Sequence, residues 1–166
     1  MSRLFLAGRA LIYATGFVSL WGWLVLAAAR LDRAAGRSLP EIAGLPEVGT
    51  TLAVTGGLLV LTCVVLFVAR GEGTPAPFDA PRRFVAVGPY RFVRNPMYVG
   101  AITLIAGFGF VLNAPSVFGV ALAALFFSNL FVIFVEEPGL ERRFGETYLA
   151  YKRATNRWVP ALTGAG

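Results

Sequence analysis

The sequence predicts an all-α polytopic membrane protein that forms a single domain over residues 1–166. Composition is the first reason. Hydrophobic residues make up 57% of the chain and charged residues only 14%, whereas an ordinary soluble domain carries about 25% charged residues. The second reason is that the apolar residues gather into long uncharged stretches, and the third is that every charged residue lies outside them.

Four apolar segments are long enough, or nearly long enough, to cross a bilayer, because a hydrocarbon core about 30 Å thick needs about 20 helical residues. They cover residues 10–29, 50–69, 98–112 and 116–135. The last two segments are predicted to form a tight helical hairpin, since the residues between them, Asn113-Ala114-Pro115, are typical of a turn.

The first segment also fits a signal peptide. Arg3 and Arg9 precede it, and the alanines at 27–29 resemble a cleavage site. However, its apolar run is longer than a usual signal core and contains Trp21 and Trp23. These two features favour a retained membrane helix.

The basic residues predict that both termini lie in the cytoplasm. Four crossings place the N-terminus, the loop 70–97 and the tail 136–166 on one side of the membrane, and this side carries twelve of the fifteen Lys and Arg residues. Cytoplasmic segments carry such an excess. An Arg-rich composition is typical of GC-rich bacterial genomes, so we expect the protein in a bacterial inner membrane.

The tail is predicted to form an amphipathic helix on the membrane surface. Pro138 suits a first helical turn. Leu140, Phe144, Tyr148 and Tyr151 then recur at helical spacing, with charged residues between them.

A candidate site follows from the hairpin, which returns the chain to the side that it left. The segment before Tyr98 and the segment after Val135 therefore meet at the cytoplasmic interface. Five polar side chains gather there: Arg91, Arg94, Asn95, Glu136 and Glu137. Each alone fits an ordinary interfacial residue, but ionisable residues at membrane depth are costly and their convergence indicates a functional site.

Several other chemistries are disfavoured. The chain has no His, which removes His-based triads and the commonest zinc sites, and we expect no metal. Cys63 is the single cysteine, so no intrachain disulfide is possible, and its apolar neighbours indicate a packing residue. No basic run is interleaved with aromatic residues, so we expect no nucleic-acid partner.

The site residues resemble the isoprenylcysteine carboxyl methyltransferase family and the related phospholipid methyltransferases. The resemblance covers roughly residues 73–160. Its elements are Gly88-Pro89-Tyr90-Arg91-x-x-Arg94-Asn95-Pro96-x-Tyr98, the hairpin, Glu136-Glu137-Pro138 and Tyr148-x-x-Tyr151. Gly107-Phe108-Gly109 also fits the Gly-x-Gly of phospholipid methyltransferases. Many members have His where this chain has Asn95, and Asn does not titrate near neutral pH.

The resemblance implies a membrane-embedded methyltransferase that uses S-adenosylmethionine. Its acceptor is expected to be a lipid-like or amphiphilic molecule, with a carboxylate, amine or thiol group, that enters from the bilayer. The implied catalytic residues are Arg94, Asn95 and Glu137. The implied cofactor-binding residues are Arg91, Arg94, Asn95, Pro96, Tyr98, Gly107, Gly109, Glu136, Glu137, Tyr148, Tyr151 and Arg157.

Two other functions remain open from the sequence. A membrane reductase of the sterol-reductase type has a similar C-terminal region and uses NADPH. A non-enzymatic membrane interaction module would instead use the glycine-bearing helices, at Gly100 and Gly107, as an oligomer interface.

Overall fold

The computed structural model describes residues 3–71 and 83–160, and every regular element within these residues is helical. The α-helices are α1 (Arg3–Ala34), α2 (Leu45–Leu66), α3 (Pro96–Val111), α4 (Ser116–Phe131), α5 (Glu137–Phe144) and α6 (Glu146–Ala154). A π-helical turn, Phe67–Gly71, extends α2, and another, Val132–Glu136, joins α4 to α5; a 3-10 turn, Gly88–Arg91, precedes α3. The all-α fold is confirmed, while residues 72–82 of the predicted loop and 161–166 of the predicted tail lie outside the described residues.

By length and composition, three helical stretches of the described chain are able to cross a membrane: Leu11–Ala34, Leu45–Gly71 and Ser116–Phe144. Helix α3 is equally apolar but has 16 residues, a length of about 24 Å. The molecule is therefore a multi-pass membrane protein. The alanines at 27–29 lie inside α1, and Ala28 and Ala29 are buried in the hydrophobic core that α1 forms with α3 and α4.

Helices α2 and α3 touch through their backbones at glycines. A methyl group added at Gly56 would lie 2.5 Å from the carbonyl oxygen of Gly100, and one at Gly107 would lie 2.5 Å from the amide nitrogen of Ala53. These contacts are those of close helix packing at small residues. Because α2 covers the glycine face of α3 within the chain, Gly100 and Gly107 do not present that face to another molecule.

The start of α4 is capped by an acidic residue at the end of α1. Asp32 is fully buried and accepts hydrogen bonds from the backbone N–H and the hydroxyl of Ser116, each at 2.7 Å. Its carboxylate also pairs with Arg37 at 2.9 Å. A negative charge at this position satisfies the unpaired N–H groups of the first turn and suits the helix dipole. Asp32 thus fixes α1 to the hairpin.

The predicted amphipathic helix of the tail is divided in two. Helices α5 and α6 meet at Gly145, whose φ of 51° and ψ of −130° are accessible to glycine and strained for other residues. Helix α5 continues from α4 through the π-helical turn. The break at Gly145 turns α6 back, so that Tyr148 is buried and faces the end of the hairpin rather than open water.

Candidate functional site

A cavity of about 270 Å³ lies where the segment before α3, the end of α4 and the two tail helices meet. This volume is near the lower end of the range for small-molecule pockets. Its apolar and aromatic lining is Phe67, Phe84, Val85, Tyr90, Tyr98, Phe131, Val132, Val135, Leu140, Phe144, Tyr148 and Tyr151, and its polar lining is Arg94, Asn95, Glu136, Glu137 and Arg143, with Gly139 completing the wall. A mostly apolar wall with a few convergent charges is typical of a binding site for a small molecule.

The carboxylate of Glu137 is held by three cations. Arg157 donates from Nε at 2.8 Å and from Nη2 at 3.1 Å. Nη2 of Arg94 lies 3.1 Å from Oε1, and Nζ of Lys152 lies 3.1 Å from Oε2. Glu137 is only 4% exposed. Because both of its oxygens are occupied, this carboxylate organises the cations around it.

Arg94 is left with unused donors. Its side chain is 9% exposed, and its Nε and Nη1 are buried without a hydrogen-bond partner. Leaving a buried donor unpaired costs roughly 1–3 kcal/mol, and more when the group is charged. Because Arg94 also lines the cavity, these N–H groups are available to an acceptor placed there.

The charges around Glu137 leave a positive excess. Lys152 also pairs with Glu141 at 2.6 Å, so the cluster contains three cations and two carboxylates. Hydrogen bonds to Glu141 and Glu137 raise the pKa of Lys152, and the hydrogen bond to Glu137 raises the pKa of Arg157. Both side chains therefore stay protonated at neutral pH, and the ion-paired cluster around Glu137 carries one net positive charge beside the Glu136 carboxylate of the same cavity.

Glu136 differs from its neighbour. Its Oε2 accepts a hydrogen bond from the Tyr98 hydroxyl at 3.1 Å. No ion pair joins Glu136 to a Lys or Arg among residues 3–71 and 83–160. The cavity therefore has a carboxylate able to receive a cationic or hydroxyl-bearing group, alongside the two free donors of Arg94.

Aromatic side chains form one wall of the cavity. The ring of Phe84 lies 5.4 Å from Phe144, 5.9 Å from Tyr148 and 5.1 Å from Tyr151, measured between centroids. The Tyr151 hydroxyl donates to the carbonyl of Tyr90 at 2.6 Å. Burial raises the pKa of Tyr148 and of Tyr151, so both phenols are neutral and the wall is suited to a planar or cationic ligand group.

Residues 156–158, here called the strap, run beside the start of α3. The backbone N–H of Arg94 donates to the carbonyl of Asn156 at 2.8 Å. The backbone N–H and the side-chain Nδ2 of Asn95 both donate to the carbonyl of Arg157 at 3.3 Å. The indole of Trp158 donates to Oδ1 of Asn129 at 3.0 Å. The strap is thus attached to α3 and α4.

The structure brings together most of the predicted site. Seven predicted residues line the cavity: Arg94, Asn95, Tyr98, Glu136, Glu137, Tyr148 and Tyr151. Arg157 reaches the same cluster through Glu137.

The other four predicted residues lie elsewhere. Arg91 is exposed, and Pro96 is buried in the first turn of α3. Gly107 faces α2, and a methyl group at Gly109 would lie 2.9 Å from the Phe118 ring. Both glycines are roughly 14–17 Å along the helix from Tyr98, and their contacts are those of helix packing.

Sequence reasoning missed several residues at the site, among them Lys152, Phe84 and Trp158. Lys152 carried a usable signal, because it lies four residues after Tyr148 and so shares its helix face. Phe84 belongs to an irregular segment with no periodicity, and Trp158 follows the last helix. For these two residues no local pattern indicated a position at the site.

Residues 46–147 match the family model described as phospholipid methyltransferase. Because the match covers more than half of the chain, the protein belongs to this family of membrane methyltransferases. The predicted family is thereby confirmed.

The fold is similar to the solved structure of a eukaryotic intramembrane Ras methyltransferase, isoprenylcysteine carboxyl methyltransferase, determined without a monobody. The TM-score is 0.64 and the sequence identity 21%, over 91% of this chain and 55% of that chain. At this identity the likeness shows the fold. Because the match covers 55% of that enzyme, this chain spans about half of its length. No curated protein sequence matches.

Proposed function

We propose that the chain is an S-adenosylmethionine-dependent methyltransferase that acts on a lipid-like or amphiphilic acceptor, in a single domain with both termini in the cytoplasm of a bacterial inner membrane. The observation that carries the proposal is the pair of buried Arg94 donors, Nε and Nη1, that have no hydrogen-bond partner. In a member of a methyltransferase family, a buried cation with free Nε and Nη1 donors at a cavity fits the carboxylate of the cofactor's methionine part.

The rest of the cavity also fits this cofactor. S-adenosylmethionine carries a carboxylate, an ammonium, ribose hydroxyls, an adenine ring and a sulfonium. Glu136 fits the ammonium or the ribose hydroxyls, since its carboxylate has no cationic partner in the described chain. The wall around Phe84, Tyr148 and Tyr151 fits the planar base.

The cofactor, when bound, supplies a methyl group activated by the positive sulfur. The residues of this chain then have to bind and orient the cofactor and the acceptor, and to exclude water from the site. Such positioning contributes up to about 7–11 kcal/mol in favourable cases, so the absence of His from the sequence is compatible with the reaction.

The two glutamates have different roles in this proposal. Glu137 acts through Arg94, because its oxygens are bound to Arg94, Lys152 and Arg157. Glu136 is the carboxylate available to a protonated amine, should the acceptor carry one, since the amine must lose its proton before it is methylated. A carboxylate or thiolate acceptor needs no base.

An amphiphilic acceptor is supported by the apolar side of the cavity. Phe67, Phe131 and Val135 line it, and they lie at or just after the ends of the membrane helices α2 and α4. Val135 is also 50% exposed. An apolar wall at the ends of two membrane helices suits a molecule whose apolar part stays in the bilayer.

Calorimetric titration of S-adenosylhomocysteine into detergent-solubilised protein tests the proposal. We expect micromolar binding by the wild type and a loss of roughly tenfold or more for Arg94→Gln, because a hydrogen-bonded charge is removed. Arg153→Gln is the matched control, since that side chain is 70% exposed, and it should bind as the wild type does.

Arg94→Lys keeps the positive charge next to Glu137. It is the variant to titrate if Arg94→Gln does not fold. A point charge does not reproduce the donor geometry of Arg, so this variant should also bind more weakly. The proposal is wrong if the folded wild type shows no binding, or if both folded Arg94 variants keep wild-type affinity.

A further inference from the structure

Trp158 connects the strap to α4, near the C-terminal end of that helix. Its indole N–H donates to Oδ1 of Asn129 on α4 at 3.0 Å. An amide in an apolar helix needs a hydrogen-bond partner, and the indole offers a single donor with no acceptor. The pairing therefore sets both the depth and the orientation of the Trp158 ring.

The same ring touches a residue of the cavity. Trp158 and Tyr98 lie 6.3 Å apart between centroids at an interplanar angle of 68°, an edge-to-face arrangement that stabilises ring pairs. The hydroxyl of Tyr98 has one hydrogen, which it donates to Oε2 of Glu136 at 3.1 Å. The orientation of the Tyr98 ring thus determines how Glu136 is held.

We propose that Trp158 is a positioning residue of the cofactor site, which acts through Tyr98 to hold the Glu136 carboxylate toward the cavity. The chain of contacts runs from Asn129 through Trp158 and Tyr98 to Glu136. One carboxylate oxygen is bound by Tyr98, and the other is left for a ligand. The inference rests on the proposed function and adds a role that Trp158 performs without touching the ligand.

The strap then serves both glutamates by separate routes. Arg157 binds Glu137 directly at 2.8 Å, whereas Trp158 reaches Glu136 through the Tyr98 ring. The route through Trp158 predicts a specific consequence. Loss of the Trp158 N–H should weaken ligand binding only as long as the Tyr98 hydroxyl is present.

Trp158→Phe is the first test, because it keeps an aromatic ring and removes the N–H. We expect the affinity for S-adenosylhomocysteine, measured by calorimetry, to fall roughly three- to tenfold, as for the loss of one hydrogen bond. Asn129→Leu removes the same bond from the other side and should give a similar loss. Trp23→Phe is the matched control, since this indole is 65% exposed on α1, and its affinity should equal that of the wild type.

The Tyr98→Phe background separates positioning from general destabilisation. If Trp158 acts through the Tyr98 hydroxyl, adding Trp158→Phe to Tyr98→Phe causes no further loss of affinity. The assignment is overturned if the second loss persists in that background, or if folded Trp158→Phe and Asn129→Leu bind as tightly as the wild type. Failure of the folded wild type to bind would instead overturn the proposed function, and this assignment with it.

Discussion

Asp32 and Ser116 lie 84 residues apart in the chain and share two hydrogen bonds of 2.7 Å. The carboxylate closes the N-terminus of α4 from a position on α1, next to the turn of the hairpin. The site lies at the other end of α4, whose 16 residues span about 24 Å. These hydrogen bonds therefore stabilise the helix bundle and lie far from the candidate site.

Replacing Asp32 with Ala should lower the melting temperature of the detergent-solubilised protein, because the half-buried N–H and hydroxyl of Ser116 lose their acceptor. Asp32→Asn should fall between Ala and the wild type, since it keeps an acceptor and loses the charge. Glu41→Ala, at an exposed position, is the control. Affinity for S-adenosylhomocysteine should be unaffected in folded Asp32→Asn, and a large loss there would contradict the separation of cap and site.

Gly107→Ala should destabilise the protein by about 1–3 kcal/mol, because the added methyl group overpacks the contact with α2. Gly119→Ala on α4 is the matched control, since an added methyl group there meets nothing within 4 Å, and it should be neutral or slightly stabilising. Thermal unfolding of the two variants in the same detergent gives the comparison. Equal melting temperatures would show that the backbone contact of α2 and α3 is looser than described.

Glu137→Gln should release the strap. It leaves Arg94, Lys152 and Arg157 together without their shared counter-charge, and breaking a buried ion pair is strongly destabilising. The backbone N–H groups of Arg94 and Asn95, whose acceptors are on the strap, should exchange about tenfold faster or more by hydrogen–deuterium exchange.

Glu141→Gln is the control for that experiment. It removes a carboxylate whose side chain is 37% exposed, and the exchange at Arg94 and Asn95 should stay close to that of the wild type. If the two variants accelerate exchange equally, Glu137 does not have the organising role assigned to it.

Asn95 is expected to tolerate His better than Asp. Its Nδ2 donates to the carbonyl of Arg157, and a His side chain keeps an N–H donor whereas an ionised Asp has none. We expect Asn95→His to bind S-adenosylhomocysteine within about threefold of the wild type and Asn95→Asp to lose roughly tenfold or more. The reverse order would show that the donated hydrogen bond is not what this position supplies.

Sequence reasoning predicted the parts of the fold that composition and local pattern determine. The uncharged stretches indicated membrane helices, and the turn at Asn113 and Pro115 indicated the hairpin. Because a hairpin returns to its own side, the proximity of Arg94 to Glu137 followed from topology alone.

The remaining features depend on contacts that no local pattern contains. The partner of Asp32 is 84 residues away, so no local pattern indicates that this carboxylate caps another helix. At Gly107, a spacing that fits a cofactor motif also fits helix packing, and only the position of α2 distinguishes the two. The break at Gly145 depends on a positive φ, which an amphipathic pattern does not reveal.

The bonds from the backbone N–H groups of Arg94 and Asn95 to the strap carbonyls have an evolutionary consequence. A main-chain carbonyl is supplied by any of the twenty amino acids, so the residue at 156 is free to drift while its attachment persists. The residue at 157 is constrained as well by the bond of its side chain to Glu137. A side-chain scan would report Asn156 as dispensable. Proline at 94, which has no N–H to give, is the substitution to which this attachment is sensitive.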